Sequence, residues 1–182
     1  MVSNTLFLTL LPLDAYEYHG DHLPFETDWI IAEAFAKALI LQTKEQFCIV
    51  LLPVEKNWLF CKTHGCYRNT SLTFSEAIKR WINIGKNSYH KGINSFLLLN
   101  AHGGNSPLMS IVITKLQRRF SILAIATSWS RFDLPQGLAE PSQQHFDTYG
   151  GFIKTSLELC SFNQRSVRLS HVLLLQESLP YP

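Results

Sequence analysis

The stretch that decides the fold runs from Leu11 to Asp28 and reads LPLDAYEYHGDHLPFETD. It stands between two segments of different character. On its N-terminal side, the apolar run Leu6 to Leu13, with Pro12 near its end, predicts a buried strand. On its C-terminal side, DWIIAEAFAKALILQ places Ile31, Ala34, Phe35, Ala38 and Leu39 on one helical face, with Thr27 or Asp28 as the N-cap. The residues between are polar and include His19 and His22.

Working outward, Phe47 to Pro53 has the β-branched content and length of a second strand, and residues 54–72 have no clear period and read as a long loop. Thr73-x-x-Glu76 is a capping-box pattern that opens a helix to about Tyr89, with Gly92 where a stop is expected. Ile93 to Leu99 is a third strand, and NAHGGN (Asn100 to Asn105) turns the corner into a helix from Ser106 to about Arg119. Ile122 to Thr127 is a fourth strand, and a further helix is expected from Gly151 to about Cys160. In the tail, SHVLLLQES fits a strand or a helix equally. Strands that are apolar throughout and alternate with helices imply burial on both faces. The expected fold is therefore a single α/β domain over residues 1–182, a three-layer α/β/α sandwich with a mostly parallel sheet.

Composition narrows the function. Sixteen Lys and Arg against fourteen Asp and Glu give a net charge of +2, too small and too scattered for a nucleic-acid footprint. No run approaches the roughly 18 apolar residues needed to span a bilayer. Met1 to Leu13 lacks a basic n-region and a small-residue cleavage site, so it reads as a strand and not as a secretion signal. Cys48, Cys61, Cys66 and Cys160 form no dense disulfide framework, which makes a reducing, cytoplasmic setting the expectation. Only 16% of residues are charged while 12% are aromatic, a balance that points to surface covered by a partner subunit.

In a parallel sheet, ligands sit outside the carboxyl ends of the strands. Two histidine-bearing loops fall there, after the first strand and after the third. Glu17 and His19 are two apart, so an extended chain points both side chains the same way. Asp28 opens the following helix, and His102 lies in a glycine-rich turn. Two carboxylates and two imidazoles on one rim match the N/O ligand set of Zn²⁺ or Mn²⁺, and a bridging carboxylate such as Asp28 suits two neighbouring ions. Taken singly, each has a structural role open to it: Asp28 as a helix cap, Glu17 as a solvated acid, His102 as a polar turn residue. His22 and His64 read as surface histidines, and CKTHGC (Cys61 to Cys66) offers three soft ligands without a fourth and reads as a plain loop.

Together, LPLDAYEYHGDHLPFETD and NAHGGN resemble the creatininase family, with its Leu-Pro-x-Gly-Ser-x-Glu-x-His-Gly-x-His-Leu-Pro-x-x-Thr-Asp stretch and Asn-Gly-His-Gly-Gly-Asn loop. The resemblance covers about Leu11 to Leu159. It implies a metal-dependent hydrolase acting on a small cyclic amide or formamide, with Glu17, His19, Asp28 and His102 as metal ligands and Asp28 as the bridge. It also implies a homo-oligomer whose partner is a small-molecule amide, with no nucleic acid and no membrane involved.

The departures are equally specific. The family's Asp-x-His-Ala-Gly-x-x-Glu-Thr-Ser motif reads here DTYGGFIKTS, Asp147 to Ser156. Tyr149 replaces a proton-shuttling His, so Tyr149, with His145 four residues earlier, becomes the candidate catalytic proton donor. Lys154 replaces a metal-ligating Glu, and Asp14-Ala15 replaces Gly-Ser. The expectation is a Zn²⁺ or Mn²⁺ site holding at most one ion per chain. The alternative is a non-catalytic binding or scaffolding subunit in which the Lys154 ammonium stands in for a metal.

Overall fold

The computed structural model of the chain describes residues 6–57, 72–131 and 150–161. In chain order these form β1 (Leu6–Ala15), α1 (Thr27–Thr43), β2 (Phe47–Leu51), β3 (Glu55–Asn57), α2 (Phe74–His90), β4 (Ser95–Asn100), a 3-10 turn (Gly103–Asn105), α3 (Ser106–Phe120), β5 (Leu123–Ser128), a second 3-10 turn (Trp129–Arg131) and α4 (Phe152–Ser161). Among the described residues every strand pairing is parallel, in the order β2-β1-β4-β5 with β3 also pairing β1. No helix among the described residues is long and apolar enough to cross a membrane.

Alternation along the two central strands divides the core into two layers. Leu11 and Leu98 are register partners, and with Leu13 and Phe96 they pack against Ala77 and Trp81 of α2 and Leu108, Val112 and Leu116 of α3. Leu10 and Leu97 are the neighbouring partners, and with Leu99 they pack on Phe35, Ala36 and Leu39 of α1. Leu157 of α4 joins Ile31 and Ala32 on that same side. The two central strands are thus covered on both faces, and the three-layer α/β/α sandwich expected from apolar strands is what the chain forms.

Local details depart from the expectation in instructive ways. Residues 54–72 are not all loop, because β3 continues the β2 edge along β1, with Leu13 opposite Glu55. Pro53 separates the two pieces because it has no N–H for the ladder. The helix after the first loop starts at Thr27 with Glu26 in the cap position, so neither Thr27 nor Asp28 is the cap. The Thr27 hydroxyl donates to Pro24 O at 2.8 Å. Ala38 is exposed, and the buried apolar positions are Ile30, Ile31, Ala32 and Ala36. Since α1 is apolar around most of its circumference, packing against α4 and the sheet selects the buried face, and periodicity does not. The capping box at Thr73 and Glu76 forms as the sequence predicts, with Thr73 N donating to Glu76 Oε2 at 2.7 Å. The SHVLLLQES tail, the cysteine pair at 61 and 66, and His64 lie outside the described residues.

Trp81 is fully buried at the centre of the α2–α3 layer. Trp81→Ala is expected to cost about 3–5 kcal/mol by emptying that space. Urea unfolding followed by circular dichroism checks this, and a loss under 1 kcal/mol would mean that Trp81 does not pack as described.

Candidate metal centre

Adjacent strands bring the two loops together. Leu13 of β1 is paired with Asn100 of β4, and Ala101 N donates to Leu13 O at 2.9 Å, so both strands release their chains at the same level of the sheet. This is where the strand order reverses: the chain passes from β1 to β2 on one side and later returns to β4 on the other. Crevices of an open α/β sheet form at such a point.

Two asparagines hold the second loop. Asn100 Nδ2 donates to His102 O at 2.6 Å, and its Oδ1 accepts from His102 N and from Asn105 Nδ2, each at 3.1 Å. Asn105 Nδ2 also reaches Asp14 O at 3.1 Å, tying the loop to the end of β1. A Cβ at Gly104 would lie 2.5 Å from His102 Nε2, so the His102 ring takes its position only because residue 104 has no side chain.

The four residues expected as ligands meet in one buried pocket. His102 Nδ1 lies 3.1 Å from both Glu17 Oε1 and Asp28 Oδ2. His19 Nε2 lies 3.3 Å from Asp28 Oδ1 and 3.4 Å from Glu17 Oε1, while its Nδ1–H donates to Glu17 O at 3.0 Å. His19 and Asp28 are 0% exposed, and the Glu17 and His102 side chains keep a narrow opening to solvent. Asp28 caps nothing with its side chain. Both of its oxygens face this pocket.

The fifth member is Lys154, on the first turn of α4. Its Nζ donates to Asp28 Oδ1 at 2.7 Å and lies 2.9 Å from His19 Nε2. An ammonium only donates, and His19 Nδ1–H is already used on Glu17 O, so His19 Nε2 is the acceptor and the ring is neutral in this arrangement. Sequence reading placed His22 on the surface, but it is buried. Its Nε2–H donates to Gly150 O at 2.9 Å and Thr155 Oγ1 at 3.0 Å, which fastens the start of α4 to the first loop. A Cβ at Gly150 would lie 1.7 Å from His19 O, so backbone meets backbone there. His22, Asn100 and Asn105 are positioning residues that sequence reading missed. Their signal was their place inside the two motifs. Tyr149 and His145 lie outside the described residues.

Charge in the pocket is mutually supported. Burial works against ionised Glu17, but hydrogen bonding with His102 overcomes it and holds the carboxyl down at about 2. Burial likewise opposes the Asp28 charge, and His102, helped by the Lys154 ammonium, holds that carboxyl well below the usual range. The same two carboxylates push His102 up to about 9 against its own desolvation. Burial and the Lys154 ammonium oppose charge on His19, but a proton on Nε2 would face the Asp28 and Glu17 carboxylates, and these raise its pKa above the ordinary histidine value.

The residues fit a divalent ion on one side of the pocket. Donors on a tetrahedral zinc shell with bonds of 2.0–2.2 Å stand about 3.3 Å apart, close to the 3.1 Å that separates His102 Nδ1 from Glu17 Oε1 and from Asp28 Oδ2. Glu17, His19 and Asp28 offer donor atoms all within 4.8 Å of one another. The His19 Nδ1–H bond to a backbone carbonyl is the support that a metal-bound imidazole typically has, leaving Nε2 for the ion. On the other side, the position between His19 Nε2 and Asp28 Oδ1 is taken by Lys154 Nζ.

The pH dependence of the metal-free protein follows from these shifts. His102 has a raised pKa, so its stabilisation is complete below 6.5 and is lost as pH rises towards 9. Glu17 and Asp28 have lowered pKa values, so theirs is present above about 4.5 and is lost as pH falls towards 2. With chelator present, the melting temperature should decline from pH 6.5 to 9, and His102→Ala should flatten that decline. An equal alkaline slope in wild type and variant would refute the His102 contacts.

Comparison with known proteins agrees with the fold and the motifs. Residues 5–173 match the family model for creatininase, described as creatinine amidohydrolase. A 2-amino-5-formylamino-6-ribosylaminopyrimidin-4(3H)-one 5'-monophosphate deformylase from Methanococcus maripaludis (strain C7 / ATCC BAA-1331) is 36% identical over 104 residues, covering 55% of this chain and 42% of that protein. The chain thus spans about two fifths of the curated relatives it matches. Among solved structures, a protein from Bacteroides fragilis NCTC 9343 described as a creatinine amidohydrolase aligns with a TM-score of 0.72 at 20% identity, over 96% of this chain and 72% of that one. A manganese form of creatininase aligns at 0.67 with 18% identity, over 92% and 69%. A Zn–Zn form of a creatininase variant aligns at 0.65 with 18% identity, over 90% and 67%. The chain belongs to the creatininase family.

Proposed function

We propose that the protein is a metal-dependent amidohydrolase that cleaves the non-peptide C–N bond of a small formamide or cyclic amide. The observation that carries this reading is the convergence of Glu17, His19, Asp28 and His102 in one buried pocket at the sheet's switch point. The deformylase name of its curated relative favours the formamide. Glu17 Oε1, Asp28 Oδ2 and His102 Nδ1 would hold Zn²⁺ or Mn²⁺, with His19 Nε2 beside them. A divalent ion there supplies a Lewis acid for the amide carbonyl and lowers the pKa of water towards about 7.

The remaining work belongs to the chain. His19 and Asp28, both fully buried, form the dry floor. Glu17, His102 and Lys154 form the partly open mouth through which a carbonyl enters. Beside them, Gly103 leaves open space where a side chain would otherwise project. The Asn100–Asn105 bracket fixes the His102 ring so that it is aimed before substrate arrives. Cleavage leaves an amine that needs a proton, a role assigned to Tyr149 with His145 as its substitute.

A second reading, a non-catalytic binding subunit, is favoured by one observation: the Lys154 ammonium already neutralises part of the pocket. We also read the chain as a cytoplasmic homo-oligomer. Exposed Leu6 and Phe7 on β1, Phe47, Val50 and Leu51 on β2, and Leu123 and Ile125 on β5 support the oligomer. The cysteine pattern supports the compartment.

Formate and amine release from a panel of formamides and cyclic amides, with Zn²⁺ or Mn²⁺ added, tests the catalytic reading. Turnover is expected with a formamide. His102→Ala should reduce it by more than the roughly 10–100-fold that loss of a supporting hydrogen bond costs. Tyr149→Phe should lower kcat by about 10²–10⁴ if Tyr149 moves the proton. Absence of turnover across the panel would favour the binding subunit. Light scattering in solution checks the oligomer, and a monomeric mass would refute it.

A further inference from the structure

We propose that Lys154 is a resident cation: its ammonium occupies the His19–Asp28 side of the pocket in place of a second divalent ion, so that the site loads a single ion between Glu17, Asp28 and His102. The inference rests on the metal reading above and concerns what fills the other half of the same site.

The Asp28 carboxylate is arranged as a bridge between two cation positions. Oδ2 faces His102 Nδ1 at 3.1 Å, on the side where Glu17 Oε1 also points. Oδ1 faces the opposite side, where His19 Nε2 is 3.3 Å away. A second ion would need that oxygen and that nitrogen together. Lys154 Nζ already contacts both, at 2.7 and 2.9 Å.

The lysine is also not a surface side chain that has folded inward by chance. Its side chain is 15% exposed. The turn that carries it is anchored on both sides: Gly150 abuts the His19 carbonyl, and Thr155 takes a hydrogen bond from His22. These two anchors set the start of α4 and aim residue 154 at Asp28.

Charge balance supports a single ion. Glu17 and Asp28 against Lys154 leave one net negative charge, which one divalent ion converts to one positive. Adding a second divalent ion would leave three net positive charges in a pocket largely removed from water, an arrangement that is strongly unfavourable. Lys154→Glu changes that balance: three carboxylates and two divalent ions again sum to one positive charge. The substitution also supplies an oxygen ligand where the ammonium stood.

The test is metal content. Wild type, Lys154→Glu, Lys154→Gln and His102→Ala are each loaded with excess Zn²⁺ or Mn²⁺, freed of unbound metal by gel filtration and subjected to elemental analysis. The expected result is about one equivalent per chain in wild type, a rise to about two in Lys154→Glu, and a loss in His102→Ala. Lys154→Gln removes the charge without adding one, so it carries the test should Lys154→Glu fail to fold, and it should also exceed one equivalent at saturating metal. Two equivalents in wild type, or an unchanged single equivalent in both Lys154 variants, overturns the inference while leaving the metal reading intact. An ion-free wild type beside a loaded Lys154→Glu overturns the single-ion assignment. No ion in any of the proteins removes the metal reading itself, and the inference with it.

Discussion

The Asp28 carboxylate is wholly removed from water and still ionised, and much of the molecule is arranged around that fact. A lone charge in such a place is strongly unfavourable, so it persists only with close partners of opposite sign or with hydrogen-bond donors on each oxygen. Its partners come from distant parts of the chain. His102 arrives from the loop after β4, Lys154 from α4, and His19 from the loop that precedes Asp28's own helix. The register of β1 against β4, the packing of α4 on α1 and the link from His22 to Thr155 all serve to bring those groups within hydrogen-bond distance.

The same arrangement explains why the pocket suits either a metal or an ammonium. Both are cations that neutralise close carboxylates, but they make different demands. An ion accepts lone pairs from several directions and requires neutral imidazoles, whereas an ammonium donates along three N–H bonds. On the Glu17–His102 side, His102 Nδ1 stands 3.1 Å from both Glu17 Oε1 and Asp28 Oδ2, spacings that a single ion can share. On the His19 side the neutral ring and one oxygen of Asp28 accept from Lys154. One pocket therefore contains two differently equipped halves joined by a single carboxylate.

The positioning groups show how much of the site lies outside the residues that would touch an ion. Asn105 Nδ2 donates to Asn100 Oδ1, and Asn100 bonds to the backbone of His102, which keeps the His102 ring fixed. Gly104 and Gly150 are there for close approach: one lets the imidazole lie over the turn, and the other lets backbone meet the carbonyl of His19. Replacing either by a larger residue would shift a ligand without altering the ligand set.

The sequence alone determined the layering, because apolar strands with helices between them can be buried only inside a parallel sheet covered on both faces. It also determined Glu17, His19, Asp28 and His102 as candidates, because they fall in loops at one end of that sheet and in motifs shared with a known family. The tertiary structure decided what periodicity leaves open. The buried face of α1 was ambiguous because the helix is apolar nearly all round, and contacts with α4 and the sheet resolved it, leaving Ala38 exposed. Asp28 read equally well as a helix cap, and His22 as a surface ring, until partners 74 to 133 residues away gave their side chains other roles. Position 154 follows the same rule: sequence shows a lysine where a ligand is expected, but only three-dimensional distances place its Nζ between Asp28 and His19. Local pattern encodes which face of an element is apolar. Which polar groups share a pocket depends on contacts between residues far apart in the chain.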